Sequence, residues 1–195
     1  MSNSLDQFDL YLIRHFFDER ACRELIDEMR NSEASPAVTY GQESSGRVNE
    51  RVRRVSRVSP STKTLALVTA RLMAERGKFS EHFDLVLTRC EEPQFLCYRP
   101  GDFFVAHQDG NTGMLGLSSD EFRRVSVSIF LNEQSEAEAA DVYCGGSLIF
   151  SDWRNGRSHS FKGEAGALVA FRAETTHEVT PITHGERYSI VTWFG

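Results

Sequence analysis

The sequence predicts a mainly β protein with flanking helices (α+β), a jelly roll or barrel braced by helices from its N-terminal part. Three observations carry this. Helical periodicity is confined to the first 80 or so residues. About eight short β-rich runs follow, separated by Gly, Pro and Asn turns. In one of them, Val125, Val127, Ile129 and Leu131 alternate with Ser126, Ser128 and Phe130, the period of a strand with two unlike faces.

The elements follow in order. Asp18 is a plausible N-cap, and Ala21, Cys22, Leu25, Ile26 and Met29 then share one helical face. Asn31 to Ser59 is rich in Ser and Gly, then in Arg and Val, and reads as a long loop or a pair of short strands. A cap-then-proline start at Ser59-Pro60-Ser61-Thr62 opens a second helix through Leu65, Val68 and Leu72 to Gly77. The expected strands are Phe83–Leu87, Gln94–Tyr98, Phe103–His107, Val125–Leu131, Ser147–Phe150, Ala167–Phe171, His177–Thr180 and Tyr188–Phe194. Gly145 and Gly146 mark a bulge or a tight strand start. Two connections are too long for hairpins: Gln108–Glu121, and Asn132–Tyr143 with Glu133, Glu136, Glu138 and Asp141. Each reads either as a solvated connection or as a lid over a barrel mouth.

Length and composition set the outer bounds. A chain of 195 residues predicts one domain over 1–195, with helical support in 1–80 and a jelly-roll core in 81–195. The 14 Phe, 5 Tyr and 2 Trp supply a core, which excludes global disorder. No apolar run is long enough for a membrane helix, and no basic-then-apolar leader opens the chain, so a cytoplasmic protein is expected. Cys22, Cys90, Cys97 and Cys144 form no CxxC pair and read as reduced core thiols. A net charge of −6 argues against a general nucleic-acid binder; nothing bears on oligomeric state.

The chemistry gathers late in the chain. His107 and Asp109 form an H-x-D pair after a β-rich run, where i and i+2 project from one face. Chance supplies about 0.3 such pairs at this composition, so the pair alone is weak. His177 is a candidate third ligand. Two His and one carboxylate form the facial triad of non-heme iron sites, which keeps positions open, whereas structural zinc sites are closed. Arg187, beyond the turn at Pro181–Gly185, is placed to carry a guanidinium into the barrel, where a dicarboxylate gives it a bidentate partner. Tyr98 offers a phenol as a second donor to that carboxylate.

These residues stand in text that resembles the prolyl 4-hydroxylase-like members of the 2-oxoglutarate- and Fe(II)-dependent dioxygenases. The matching segments are YRPGDFFVAHQDG from Tyr98, RRVSVSIFLN from Arg123, CGGSLIF from Cys144, and GALVAFRAETTHEVTPITHGERYSIVTWF from Gly166. Tyr98, Gly101, Phe104, His107 and Asp109 keep the family's spacing, and Trp193 matches a tryptophan often found six residues beyond the arginine. The resemblance implies a double-stranded β-helix (cupin-like jelly roll). It implies Fe(II) on His107, Asp109 and His177, and 2-oxoglutarate on Arg187 and Tyr98, with ascorbate as a possible further cofactor. The implied reaction consumes O2, converts 2-oxoglutarate to succinate and CO2, and hydroxylates an unactivated C–H, best a prolyl residue of a peptide or protein. A free amino acid or small metabolite is the alternative substrate. Phe104 replaces a tyrosine of some relatives, and Val191 a hydroxyl residue of others.

Outside oxygenase chemistry, the residues also admit a cupin-like metal-binding sensor module with no need for Arg187. His15, His82, His159 and His184 have no partner pattern and read as surface or structural residues. Arg47, Arg51, Arg53, Arg54 and Arg57, interleaved with valines, read as an exposed edge strand rather than a rim for an anionic partner.

Overall fold

Two residue periods build the molecule, one for each kind of element. This computed structural model describes residues 7–37, 50–110 and 123–195. In chain order its elements are β1 (Tyr11–Ile13), α1 (Glu19–Arg30), β2 (Ala34–Pro36), β3 (Arg53–Arg54), β4 (Ser56–Val58), α2 (Thr62–Phe83), β5 (Gln94–Tyr98) and β6 (Phe103–His107). There follow β7 (Val125–Phe130), β8 (Cys144–Gly145), β9 (Leu148–Asp152), β10 (Arg157–Phe161), β11 (Leu168–Arg172), β12 (Thr176–Val179), β13 (Ile182–His184) and β14 (Arg187–Phe194).

Both helices start where a side-chain oxygen meets an orphan N–H. Asp18 accepts from Ala21 N at 2.8 Å, and Ser61 accepts from Thr64 N at 3.3 Å. Helix α1 buries Cys22, Leu25, Ile26 and Met29, as its periodicity predicts. Helix α2 corrects the expectation that it stops at Gly77 and that Phe83–Leu87 is a strand. It continues to Phe83 because Phe79 and Phe83, one turn apart, are both fully buried. Gly77 is tolerated in an open part of the surface, and the helix ends at Asp84, in the left-handed conformation, with Leu85 N donating to Ser80 O.

The strands form a seven-stranded sheet, β1-β11-β7-β14-β5-β4-β2, facing a five-stranded sheet, β10-β9-β12-β6-β3, with β8 and β13 as a separate pair. All named pairings are antiparallel. This is the double-stranded β-helix arrangement, and the large sheet is buried on both sides. Its outer face (Phe95, Cys97, Val125, Val127, Ile129, Tyr188, Ile190 and Phe194) packs with the apolar faces of α1 and α2. Its inner face contributes Leu96, Tyr98, Phe130, Val169 and Phe171, which meet Leu148, Phe150, Phe161 and Val179 of the small sheet. Alternation along the strands of the large sheet therefore divides their buried apolar residues between two cores.

Residues 1–80 are less purely helical than expected. Among those described, β1 closes one edge of the large sheet on β11, β4 and β2 extend its other edge, and β3 pairs with β6. Strand β10 lacks an apolar run and was not foreseen; pairing with β9 over five residues holds it. The thiols are free, with Cys22 and Cys97 pushed up to about 11 by burial first.

The N-terminal segment is tied to the barrel at Gly166. Its φ is +77°, its N–H donates to Phe130 O at 2.8 Å, and its carbonyl accepts from Phe17 N at 3.1 Å. A Cβ there would overlap the Phe17 carbonyl. Gly166→Ala is therefore expected to cost more than about 2 kcal/mol and to lower Tm by about 4 °C or more. An unchanged melting temperature would disprove this tie.

Candidate metal and dicarboxylate site

Strands β6 and β12 run antiparallel in the small sheet with His107 directly opposite His177. Asp109 follows β6 and is turned back by bonds from its own N–H and that of Gly110 to Ala173 O, at 2.9 and 3.1 Å. Gly110 must lack a side chain, because a Cβ would press on the Arg123 carbonyl. One ligand atom from each of His107, Asp109 and His177 lies within 4.8 Å of the other two. The H-x-D pair and the distant histidine thus converge.

Each imidazole is pre-set for a metal. His107 Nδ1 lies 2.8 Å from Val105 O and His177 Nδ1 lies 2.9 Å from Thr175 O. A carbonyl only accepts, so each Nδ1 carries the proton and each Nε2 offers a lone pair to the centre. Those Nε2 atoms stand 3.5 and 3.4 Å from Asp109 Oδ1 and Oδ2 respectively. Ser126 Oγ donates to Asp109 Oδ2 at 2.8 Å, which occupies one carboxylate oxygen and leaves Oδ1 freer. Burial alone would raise the Asp109 carboxyl; His177, then His107 and Trp193, outweigh it and hold it well below its ordinary value. Burial first, and His107 second, push His177 down to about 4 against the pull of Asp109. A neutral imidazole and an ionised carboxylate are the states a divalent cation requires.

Phe104 stacks on the His107 ring with centroids 3.6 Å apart, and the Arg53 guanidinium lies over the Phe104 ring, 4.8 Å from its centre. The position held by tyrosine in some relatives is thus a packing plate beside a candidate ligand. The arginine cluster divides accordingly. Arg54 lies over Phe103 and Arg57 pairs with Glu92 at 3.2 Å, but Arg53 is buried and lines the cavity. β3 is an edge strand of the small sheet, in line with the edge-strand reading, but the Arg53 side chain is buried rather than exposed; Arg47 lies outside the described residues.

A cavity of about 210 Å³ runs from the triad along the inner face of the large sheet. Arg57 and Gln108 line it with solvent access, while Arg187, Ser189 and Phe171 line it from within the core. Arg187 is the largest fully buried side chain, at 1% exposure. Its guanidinium lies between the rings of Tyr98 (5.3 Å) and Phe130 (4.9 Å), and Nη1 donates to Gly146 O at 2.9 Å. Its Nε has no hydrogen-bond partner, and among the described residues no carboxylate pairs with it. Ser189 Oγ, two residues on and on the same strand face, is also buried without a partner. A buried cation with unused donors calls for an anion from outside, so the residues present fit a metal-chelating dicarboxylate.

Tyr98 lines this cavity beside Arg187, its register partner across β5 and β14. Trp193 lines the cavity too and carries the Arg123 guanidinium 3.7 Å above its ring. Ser126 and Ser189 were missed in the sequence; the only signal was a small hydroxyl two residues from, or alternating with, residues of known facing. Of the two long connections, none of 132–143 lines the cavity, so that one is no lid; the other falls largely in 111–122, outside the described residues. His82 and His184 meet Asp9 and Glu138 at 3.2 and 3.3 Å, His159 stacks near Phe8, and neither they nor His15 join the triad.

Comparison with known proteins agrees with this geometry. A family model described as the 2OG-Fe(II) oxygenase superfamily matches residues 93–195. A PKHD-type hydroxylase of Janthinobacterium sp. (strain Marseille) is 32% identical over 102 residues, 52% of this chain and 42% of that protein. Another, of Burkholderia thailandensis, is 28% identical over 174 residues, 88% of this chain and 70% of that protein. The chain thus spans less than half the length of the first of these relatives. Among solved structures, a Pseudomonas putida prolyl-4-hydroxylase is similar with a TM-score of 0.67 and 26% identity, over 98% of this chain and 94% of that one. A Trichoplax adhaerens prolyl hydroxylase, solved with a hypoxia inducible factor peptide fragment, shares the fold at a TM-score of 0.68 and 18% identity, over 98% and 86% of the two chains. Among the described residues no helix is long and apolar enough to cross a membrane. With half its length matched by the family and a His-Asp-His cluster beside a buried arginine in one cavity, the chain belongs to the 2OG-Fe(II) oxygenase superfamily.

Proposed function

We propose that this chain is an Fe(II)- and 2-oxoglutarate-dependent dioxygenase that hydroxylates an unactivated C–H, with a prolyl residue of a peptide or protein as the substrate. The single observation that carries the reading is the shared cavity: three converging metal donors at one part and an anion-seeking Arg187 at another. The prolyl assignment draws on the Pseudomonas putida prolyl-4-hydroxylase, and the peptide on the bound fragment of the Trichoplax adhaerens protein.

In this reading His107 Nε2, His177 Nε2 and Asp109 hold Fe(II) and leave open positions for co-substrates. Bound iron, with 2-oxoglutarate and O2, supplies the oxidising power, giving succinate, CO2 and a hydroxylated product. The chain's own residues do the rest. Arg187 Nε, with Ser189 Oγ and Tyr98, receives the 5-carboxylate, so that the 2-oxo acid end is held toward the triad. Ser126 keeps Asp109 in one orientation. Phe104, Phe171, Leu148 and Val179 exclude water around the metal, which protects a reactive site from side reactions. Ascorbate remains a further cofactor to test.

An anaerobic titration of the Fe(II)-loaded protein with 2-oxoglutarate is expected to produce a saturable visible charge-transfer band. Absence of the band with iron verified as bound would favour the metal-binding sensor instead. Arg187→Ala should weaken 2-oxoglutarate about tenfold or more while leaving metal affinity nearly intact, and His107→Ala should abolish metal-dependent turnover. Equal loss of metal and 2-oxoglutarate in Arg187→Ala would remove the arginine's assigned role.

The triad also sets a pH response of the metal-free fold. His177 titrates near 4 when folded against an ordinary 6.5, so the unfolded chain binds the extra proton first. Stability should therefore fall as pH drops from about 6.5 to 4, by up to about 3 kcal/mol from this group. Asp109 adds to the loss only below its ordinary 3.8, outside that window. Thermal melts of wild type and His177→Gln between pH 7 and 4.5 test this, the variant being expected to show the shallower slope.

A further inference from the structure

We propose that Asn132 is a positioning residue for the co-substrate, aligning Arg187 by clamping the backbone on both sides of it. This rests on the reading that Arg187 receives the 5-carboxylate of 2-oxoglutarate. The β7–β14 ladder ends at the pair Phe130 and Ser189, and one further backbone bond, Leu131 N to Tyr188 O at 3.0 Å, follows. Beyond it the Asn132 side chain takes over. Its Nδ2 donates to Glu186 O at 2.8 Å, and its Oδ1 accepts from Tyr188 N at 3.0 Å. Those are the two peptides that flank Arg187.

The amide suits this task chemically. It must donate to a carbonyl and accept from an N–H with neighbouring atoms, which an isosteric carboxylate or a leucine cannot do. Asn132 is 7% exposed, so water does not readily replace either bond. Arg187 is the first residue of β14, just after the turn at Gly185, and a strand end is where pairing is weakest. On the β5 side Tyr98 pairs with it; on the β7 side, among the described residues, the Asn132 side chain alone holds its flanking peptides. Among the described residues the guanidinium itself has one hydrogen bond, to Gly146 O, so its aim depends on where the backbone sets its Cα. A small tilt of that peptide is amplified along the side chain, and angstrom-scale displacement of a positioning group is costly.

The test is calorimetric titration of the Mn(II)-loaded full chain with 2-oxoglutarate and with oxalate, a chelator that lacks the distal carboxylate. Asn132→Ala should weaken 2-oxoglutarate about tenfold while leaving the affinities for oxalate and Mn(II) unchanged. In the Arg187→Ala background the same substitution should have no further effect, since both act through one contact. Where Asn132→Ala does not fold, Asn132→Asp keeps the size and the acceptor for Tyr188 N–H, loses the donor, and is expected to show the same selective loss. Unchanged 2-oxoglutarate affinity in the Asn132 variant, equal weakening of oxalate, or a loss additive with Arg187→Ala overturns the proposal. If Arg187→Ala itself leaves 2-oxoglutarate binding unchanged, the reading of Arg187 fails and the role of Asn132 falls with it.

Discussion

The register between β6 and β12 is the constraint on which the site depends. His107 and His177 meet because they are direct partners in that antiparallel pair. A slip of one residue would turn either side chain to the opposite face of the small sheet, and the third donor, two residues beyond His107, would turn with its strand. The register is held on both sides. β12 also pairs with β9 over four residues, while β6 pairs with β3 on its far edge. Phe150 and Phe171 pack near the His177 ring, with centroids 6.4 and 4.7 Å away, and Phe104 stacks on His107. The donor geometry is thus a consequence of sheet pairing and aromatic packing rather than of local loop conformation.

The second constraint is the burial of Arg187. Removing a guanidinium from water is unfavourable unless its donors are met. The protein meets one donor with the Gly146 carbonyl and offers two aromatic faces, Tyr98 and Phe130. It leaves Nε and the neighbouring Ser189 hydroxyl unanswered. Such a site stores an affinity for an anion in the folded state, and binding of a dicarboxylate would return stability to the fold through linkage. The segment Asn132 to Tyr143, open to reading as a solvated connection or a lid, leads from the Asn132 clamp toward Gly145 and Gly146, and Gln134 ties it back through Gly145 O and Ser147.

Much of the fold was legible because period two and cap residues are local signals. Gln94–Tyr98 and Phe103–His107 coincide with β5 and β6; the first helix starts at its expected cap Asp18, and the second is capped by Ser61, two residues beyond the Ser59 of the expected cap-then-proline start. Phe83–Leu87 misled because its apolar spacing is also that of a helix end followed by an extended exit. The four short N-terminal strands β1, β2, β3 and β4 have two or three residues each, too few for any period to register. They exist because the edges of the two sheets accept them.

By itself the sequence determined the chemistry on offer: which imidazoles, carboxylate, guanidinium and phenol were available, and through strand alternation which of them share a face. His107 with Asp109 is settled within one strand and its extension, where i and i+2 project together. Only the tertiary structure decided what meets across strands. It set Ser126 on Asp109, Arg53 on Phe104, and Asn132 on the peptides flanking Arg187. These pairs are separated by 17 to 56 positions along the chain. Their partners are chosen by sheet register and by the burial of two cores at once, and no local pattern encodes either.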